Sequence, residues 1–158
     1  MIVVSNTSPI NNLAAIAQLN LLPQMYGKVI IPEAVYEELT KIPVEGTEEV
    51  KSSNWIEKRQ AKNINLVEEL KNKLDPGEAE AIALAIEIKA DLLLIDERLG
   101  RGIAENLNLD IIGVLGILLE AKKRGLITLI QPLLEQLRNS NFWIKPELYA
   151  RVLALAGE

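Results

Sequence analysis

The sequence predicts an α/β fold with a mostly parallel sheet covered by helices on both faces. Three observations carry that expectation. The aliphatic runs Ile2-Val3-Val4, Val29-Ile30-Ile31 and Leu92-Leu93-Leu94-Ile95 are too short for helices and read as buried strands. Each is followed closely by polar or proline-containing sequence, and then by apolar residues at helical spacing. Strands that alternate with helices need crossover connections, and crossovers make parallel neighbours.

Taken in order, the first strand gives way at Ser5-Asn6-Thr7-Ser8-Pro9, where Pro9 suits the first turn of a helix and Ser8 its cap. Ile10, Leu13, Ala14, Ile16 and Ala17 then keep helical spacing to about Leu19. Residues 22–27 read as a turn or a short helical piece. A second strand over 28–31 ends at Pro32, and a helix follows from Glu33 to about Lys41. Residues 42–53 read as a loop or weak helix, Trp55 to Lys58 as an edge strand, and 64–73 as a short amphipathic helix. Asp75-Pro76-Gly77-Glu78 opens a helix expected to reach about Lys89. A strand over 91–95 leads to a short helix ending near Asn106, and a last strand lies near 110–114. Helices over 115–124, 129–138 and 146–156 complete the chain. No repeat or linker interrupts it, so one domain over 1–158 is expected.

Composition narrows the function. At 158 residues, 49% hydrophobic and 25% charged, the chain has an ordinary globular mix with enough length for a real core. No apolar run approaches the ~20 residues of a membrane span, and the first strand leaves no room for a secretory signal, so a cytoplasmic protein is expected. Histidine and cysteine are both absent. That excludes disulfides, thiol nucleophiles, the usual zinc sites and Ser-His-Asp chemistry. Acid–base or metal chemistry must therefore rest on carboxylates, which suit hard ions such as Mg²⁺ or Mn²⁺. A net charge of −5 argues against broad electrostatic capture of nucleic acid but leaves room for a local basic rim.

Asn6 stands at the C-terminal end of the first strand, the edge where open α/β sheets place ligands. Asp96 closes the third aliphatic strand at the same edge, beside Asn6 if the two strands are neighbours; an N-cap role for the next helix is compatible with this. Glu38 falls on the Val35–Leu39–Ile42 stripe of its helix, whereas Glu37 falls on the opposite stripe with Glu33 and Lys41. A stripe-edge acid reaching water explains Glu38 as well as a site role does. Glu78 fits a capping box with Asp75. Glu80 precedes the almost wholly apolar run 81–86, where a carboxylate needs a cation or donors, which favours a site role. Glu97 is a weaker candidate because it points away from Asp96 in most turns. Glu38, Glu80 and Asp96 are thus expected to converge near Asn6, Thr7 and Ser8. Clustered carboxylates are tolerable around a cation, and the chemistry that fits is metal-assisted phosphodiester hydrolysis.

At these residues the sequence resembles PIN-domain proteins, particularly the VapC-like branch of prokaryotic toxin ribonucleases and their close relatives. The matching stretches are Val3-Val4-Ser5-Asn6-Thr7-Ser8-Pro9-Ile10, Ile31-Pro32-Glu33-Ala34-Val35-Tyr36-Glu37-Glu38-Leu39, Gly77-Glu78-Ala79-Glu80-Ala81-Ile82-Ala83-Leu84-Ala85 and Leu93-Leu94-Ile95-Asp96-Glu97-Arg98. The resemblance implies a three-layer α/β/α sandwich and cleavage of single-stranded RNA dependent on Mg²⁺ or Mn²⁺. It also implies frequent homodimers and often a small antitoxin partner. By position, Glu38, Glu80 and Asp96 match the family's acidic catalytic and metal-binding residues, with Thr7 and Ser8 in support. Asn6 is the departure, because the family pattern has aspartate there. Asparagine lends a neutral oxygen but neither a charge nor a base.

Arg98 and Arg101 are candidates for RNA phosphates, and Lys122-Lys123-Arg124 form a second basic cluster; ordinary solvated surface is the commoner fate of such residues. Phe142-Trp143 is expected to pack in the core rather than stack on bases. A nucleotide-binding Rossmann module is excluded by the lack of a glycine fingerprint after a strand. The standing alternative to a nuclease is a PIN-fold module that has lost cleavage and binds RNA or protein.

Overall fold

The computed structural model describes residues 1–41 and 46–158, and the expected end of the Glu38 stripe at Ile42 lies outside them. Five strands form one all-parallel sheet in the order β3-β2-β1-β4-β5, where β1 is Val3–Ser5, β2 Val29–Pro32, β3 Ile56–Arg59, β4 Leu92–Leu94 and β5 Ile111–Ile112. Ten helices lie among the described residues: α1 (Thr7–Ala15), α2 (Leu21–Tyr26), α3 (Glu33–Lys41), α4 (Thr47–Ser52), α5 (Ile64–Leu70), α6 (Pro76–Glu87), α7 (Arg98–Asn106), α8 (Val114–Lys123), α9 (Gln131–Asn139) and α10 (Pro146–Leu155).

The strand period of two divides the core cleanly. Val3, Val29, Ile31 and Leu94 face one cluster with α1, α2, α8 and α9, while Val4, Ile30, Leu93 and Ile95 face the other with α5 and α6. Both faces of the sheet are covered, as short aliphatic strands require, and the layers are helix, sheet and helix. The near-continuous apolar run of α6 is explained by its place, since Ala79 and residues 81–85 are all fully buried.

The sequence differs from the structure at several boundaries. Asn6, not Ser8, is the N-cap residue of α1, with extended dihedrals (φ −80°, ψ 176°), and the helix begins at Thr7. Pro9 is still accommodated, because the first-turn N–H groups of a helix have no intrahelical acceptor. The helix stops at Ala15 rather than near Leu19; Ala17 adopts φ 57°, which breaks helical continuation. Trp143 is 75% exposed, so the expectation that Phe142-Trp143 pack together in the core holds only for Phe142, which lies against the α8–α9 cluster. Lys145 is the N-cap residue of α10, and Pro146 takes its first helical position.

Candidate active site

Strand pairing creates the site's floor. β1 and β4 are parallel neighbours in the register Ser5↔Leu94, and Asn6 N–H donates to Leu94 O at 2.9 Å. The ends of the two strands therefore lie side by side, with Asp96 two residues past the last ladder pair. Asn6 is buried to 2% exposure, makes no side-chain capping bond, and its Oδ1 has no hydrogen-bond partner. A buried amide oxygen left unpaired costs on the order of 1–3 kcal/mol, so this atom is an acceptor awaiting a donor or a cation.

Acids from α3, from α6 and from the connection between β4 and α7 line this edge. Thr7 Oγ1 donates to Glu38 Oε2 at 2.8 Å, tying α3 to the start of α1, and the Gly77 N–H at the start of α6 also donates to Glu38. Partial desolvation raises the Glu38 carboxyl above its ordinary range; these two donors oppose the rise, and Asp75 and Glu80 add to it. Asp96 accepts from Val114 N–H at 2.7 Å and from Asn12 Nδ2 at 3.0 Å. Burial pushes Asp96 upward as well, against those two bonds and the nearby Arg101 guanidinium. The expected cap of α7 by Asp96 is thus replaced: Glu97 is the N-cap residue there, and Asp96 serves the first turn of α8.

Glu78 is 7% exposed, and its carboxyl is pushed up to about 7, by burial first and then by hydrogen bonding to Asp75 and the charges of Asp75 and Glu97. The expected capping box is present: Asp75 Oδ1 accepts from Glu78 N–H at 2.8 Å, and the Asp75 backbone N–H bonds back to the Glu78 carboxyl, opposing its rise. Ser8 Oγ donates to Glu97 Oε1 at 3.0 Å, which brings Glu97 to the same rim.

Three glycines make room for three of these carboxylates. A Cβ at Gly77 would lie 2.5 Å from Glu38 Oε1, one at Gly100 2.6 Å from Glu78 Oε2, and one at Gly113 2.6 Å from Asp96 Oδ1. Each acid thus occupies the space that any larger residue would fill.

The sequence-predicted residues do not all gather in one knot. Glu80 accepts from Ala34 N–H at 3.2 Å, at the N-terminal turn of α3, and lines a ≈ 200 Å³ cavity with Glu33, Gln60 and Lys71. It remains within electrostatic reach of Glu38. Arg98 is exposed, while Arg101 is half-buried and donates through Nη1 to Ile95 O at 2.9 Å. Among the described residues no three Asp or Glu side chains are close enough to hold an ion between them as they stand.

A protein-family model described as a PIN domain matches residues 2–158. The chain belongs to the PIN-domain family. Searches of curated proteins and of solved structures returned no match. Membership gives this protein a nuclease-type fold, and PIN domains generally use divalent metal ions. No helix among the described residues is long and apolar enough to cross a membrane.

The donors of this PIN domain are compatible with such an ion. They are all oxygens, and Asn6 Oδ1 is both buried and unpartnered. The lack of a three-carboxylate cluster is no obstacle, because Mg²⁺ is commonly held by one or two carboxylates with water and substrate phosphate completing its shell.

Two residues of this rim, Asn12 and Gly113, escape sequence reasoning, and Glu97 is underrated by it. Asn12 is four positions after Ser8 on α1, a spacing that places both on one helix face. Gly113 follows β5, so the strand-end argument applied to Asn6 and Asp96 also leads to it. Glu97 needed the Ser8 partner, which only the tertiary structure supplies.

Proposed function

We propose that this PIN domain is a Mg²⁺- or Mn²⁺-dependent endoribonuclease that hydrolyses phosphodiester bonds of single-stranded RNA, with activity attenuated by Asn6. The observation that carries the reading is the buried, unpartnered Asn6 Oδ1 at the strand edge beside Asp96. In this reading Asn6, Asp96 and Glu38 present oxygens to the ion. The ion, when bound, activates water and offsets charge on the scissile phosphate. Thr7 fixes the Glu38 carboxylate, and Asn12 with the Val114 N–H fixes that of Asp96. Ser8 holds Glu97 at the rim. Glu78, retaining part of its proton near neutral pH, lowers the repulsion among these acids. Glu80 acts on Glu38 through charge while bonded to the start of α3. Arg98, exposed beside Glu97, meets the RNA backbone.

The resemblance to VapC-like proteins supports a toxin role, in the cytoplasm, as a homodimer with an antitoxin protein. The second reading is a PIN-fold module that binds RNA or protein without cutting, and the loss of a charge at Asn6 is what favours it. Cleavage of single-stranded RNA in Mn²⁺ by this protein and by its Asn6→Asp variant separates the two.

A further inference from the structure

Arg101 lies four positions after Glu97, so its side chain returns to the sheet edge where α7 begins. Its Nη1 is anchored on Ile95 O, the carbonyl immediately before Asp96. A Cβ at Gly113 would lie 2.6 Å from Asp96 Oδ1 and 2.8 Å from Arg101 Nη1. The carboxylate oxygen and the guanidinium nitrogen therefore face one another across the space that this glycine leaves, no further apart than those two distances together. A guanidinium does not lose its proton in a protein. Its positive charge is a permanent part of the rim.

We propose that Arg101 is a built-in counter-charge to Asp96, with which a divalent cation must compete for the site. The inference deepens the metal reading given above and rests on it. With neutral Asn6 at one strand end and Arg101 set against Asp96 at the next, the two strand ends bring together one negative and one positive charge without any ion. Arg101 is thereby a positioning and gating residue: it holds Asp96 poised in the apo protein and weakens the ion's hold on it. A role confined to packing or to RNA contact would not alter the binding of a free metal ion.

Calorimetry with MnCl₂ alone on the full chain tests this, using the wild type, Arg101→Gln, Arg101→Lys and Asn6→Asp. Removing a unit charge about 5 Å from a doubly charged ion, at near-water screening, corresponds to roughly tenfold in affinity. Arg101→Gln is expected to bind Mn²⁺ tighter by that order, whereas Arg101→Lys, which keeps the charge, stays near wild type. Should Arg101→Gln fail to fold, Arg101→Met, which keeps the aliphatic stem, carries the same expectation. The proposal is overturned, with the metal reading intact, if Asn6→Asp gains affinity while the neutral Arg101 variants bind no tighter than wild type. It is also overturned if Arg101→Lys gains as much as Arg101→Gln. Absence of Mn²⁺ binding in every protein overturns both readings.

Discussion

The Thr7 hydroxyl donates to Glu38 at 2.8 Å, and this bond joins the first turn of α1 to the face of α3 beside the strand edge. It links the two sequence stretches that flank the site, 31 residues apart, and it holds a carboxylate that solvent would otherwise leave mobile. Thr7→Val removes the donor at nearly constant volume. The expected result is a Glu38 carboxyl raised further above its ordinary range and a loss of cleavage and Mn²⁺ affinity of several-fold, with stability changed by less than about 1 kcal/mol because the bond is exposed. NMR titration of the Glu38 carboxyl and a thermal melt check both halves.

Gly77→Ala places a methyl group where Glu38 Oε1 now lies, at a built distance of 2.5 Å. The obstacle is the far end of a flexible side chain, so the fold can yield by moving Glu38. The thermal midpoint should therefore stay within a few degrees of wild type, while metal binding falls as in Glu38→Gln. A large loss of stability would mean that Glu38 has no room to move.

Glu78 gives a pH signature. Its folded-state carboxyl lies near 7, above its ordinary value of 4.5. Between those two pH values the unfolded chain releases a proton that the native protein keeps, so the contribution of Glu78 to stability falls as pH rises from about 4.5 to about 7. Glu78→Gln should flatten that decline, and its melting temperature should exceed that of wild type by more at pH 8 than at pH 4.5. Matched melts at the two pH values measure this difference.

Glu158 gives the opposite sign. Its carboxylate accepts from Ile130 N–H at 2.7 Å, Gln131 N–H at 3.0 Å and Lys122 Nζ at 2.8 Å, which clasps α8 to the start of α9. Those bonds hold its carboxyl down to about 2, with the Ile130 N–H the largest influence. The stability it adds is present above its ordinary value of 4.5 and is lost as pH falls from there toward 2. Glu158→Gln should therefore lower the melting temperature at pH 7 and leave it almost unchanged near pH 2.

Much of this architecture is legible from residue patterns. The β1–β4 edge follows from two short aliphatic runs, each ending in a polar residue, and α6 from Asp75-Pro76 and its apolar length. What is not legible depends on which element crosses which. Asp96 looks like the cap of the next helix in sequence but caps α8, because β5 brings Val114 alongside it. Glu80 looks like an uncompensated acid and instead finds the Ala34 N–H on α3, a helix that precedes it by nearly forty residues. The pairing of each glycine with a carboxylate is likewise a matter of close approach, which periodicity does not encode.

In the proposed nuclease, Asn6 sits where the metal site needs a charge. Cleavage of a single-stranded RNA in Mn²⁺ by the wild type and by Asn6→Asp, with Asp96→Ala as the control, tests it most directly. Slow cutting is expected from the wild type, cutting at least about tenfold faster from Asn6→Asp as the added carboxylate strengthens the ion site, and none from Asp96→Ala. A wild type that cuts nothing while Asn6→Asp cuts would contradict residual activity and leave a binding module with a restorable site. No cutting by either protein would contradict the nuclease assignment itself.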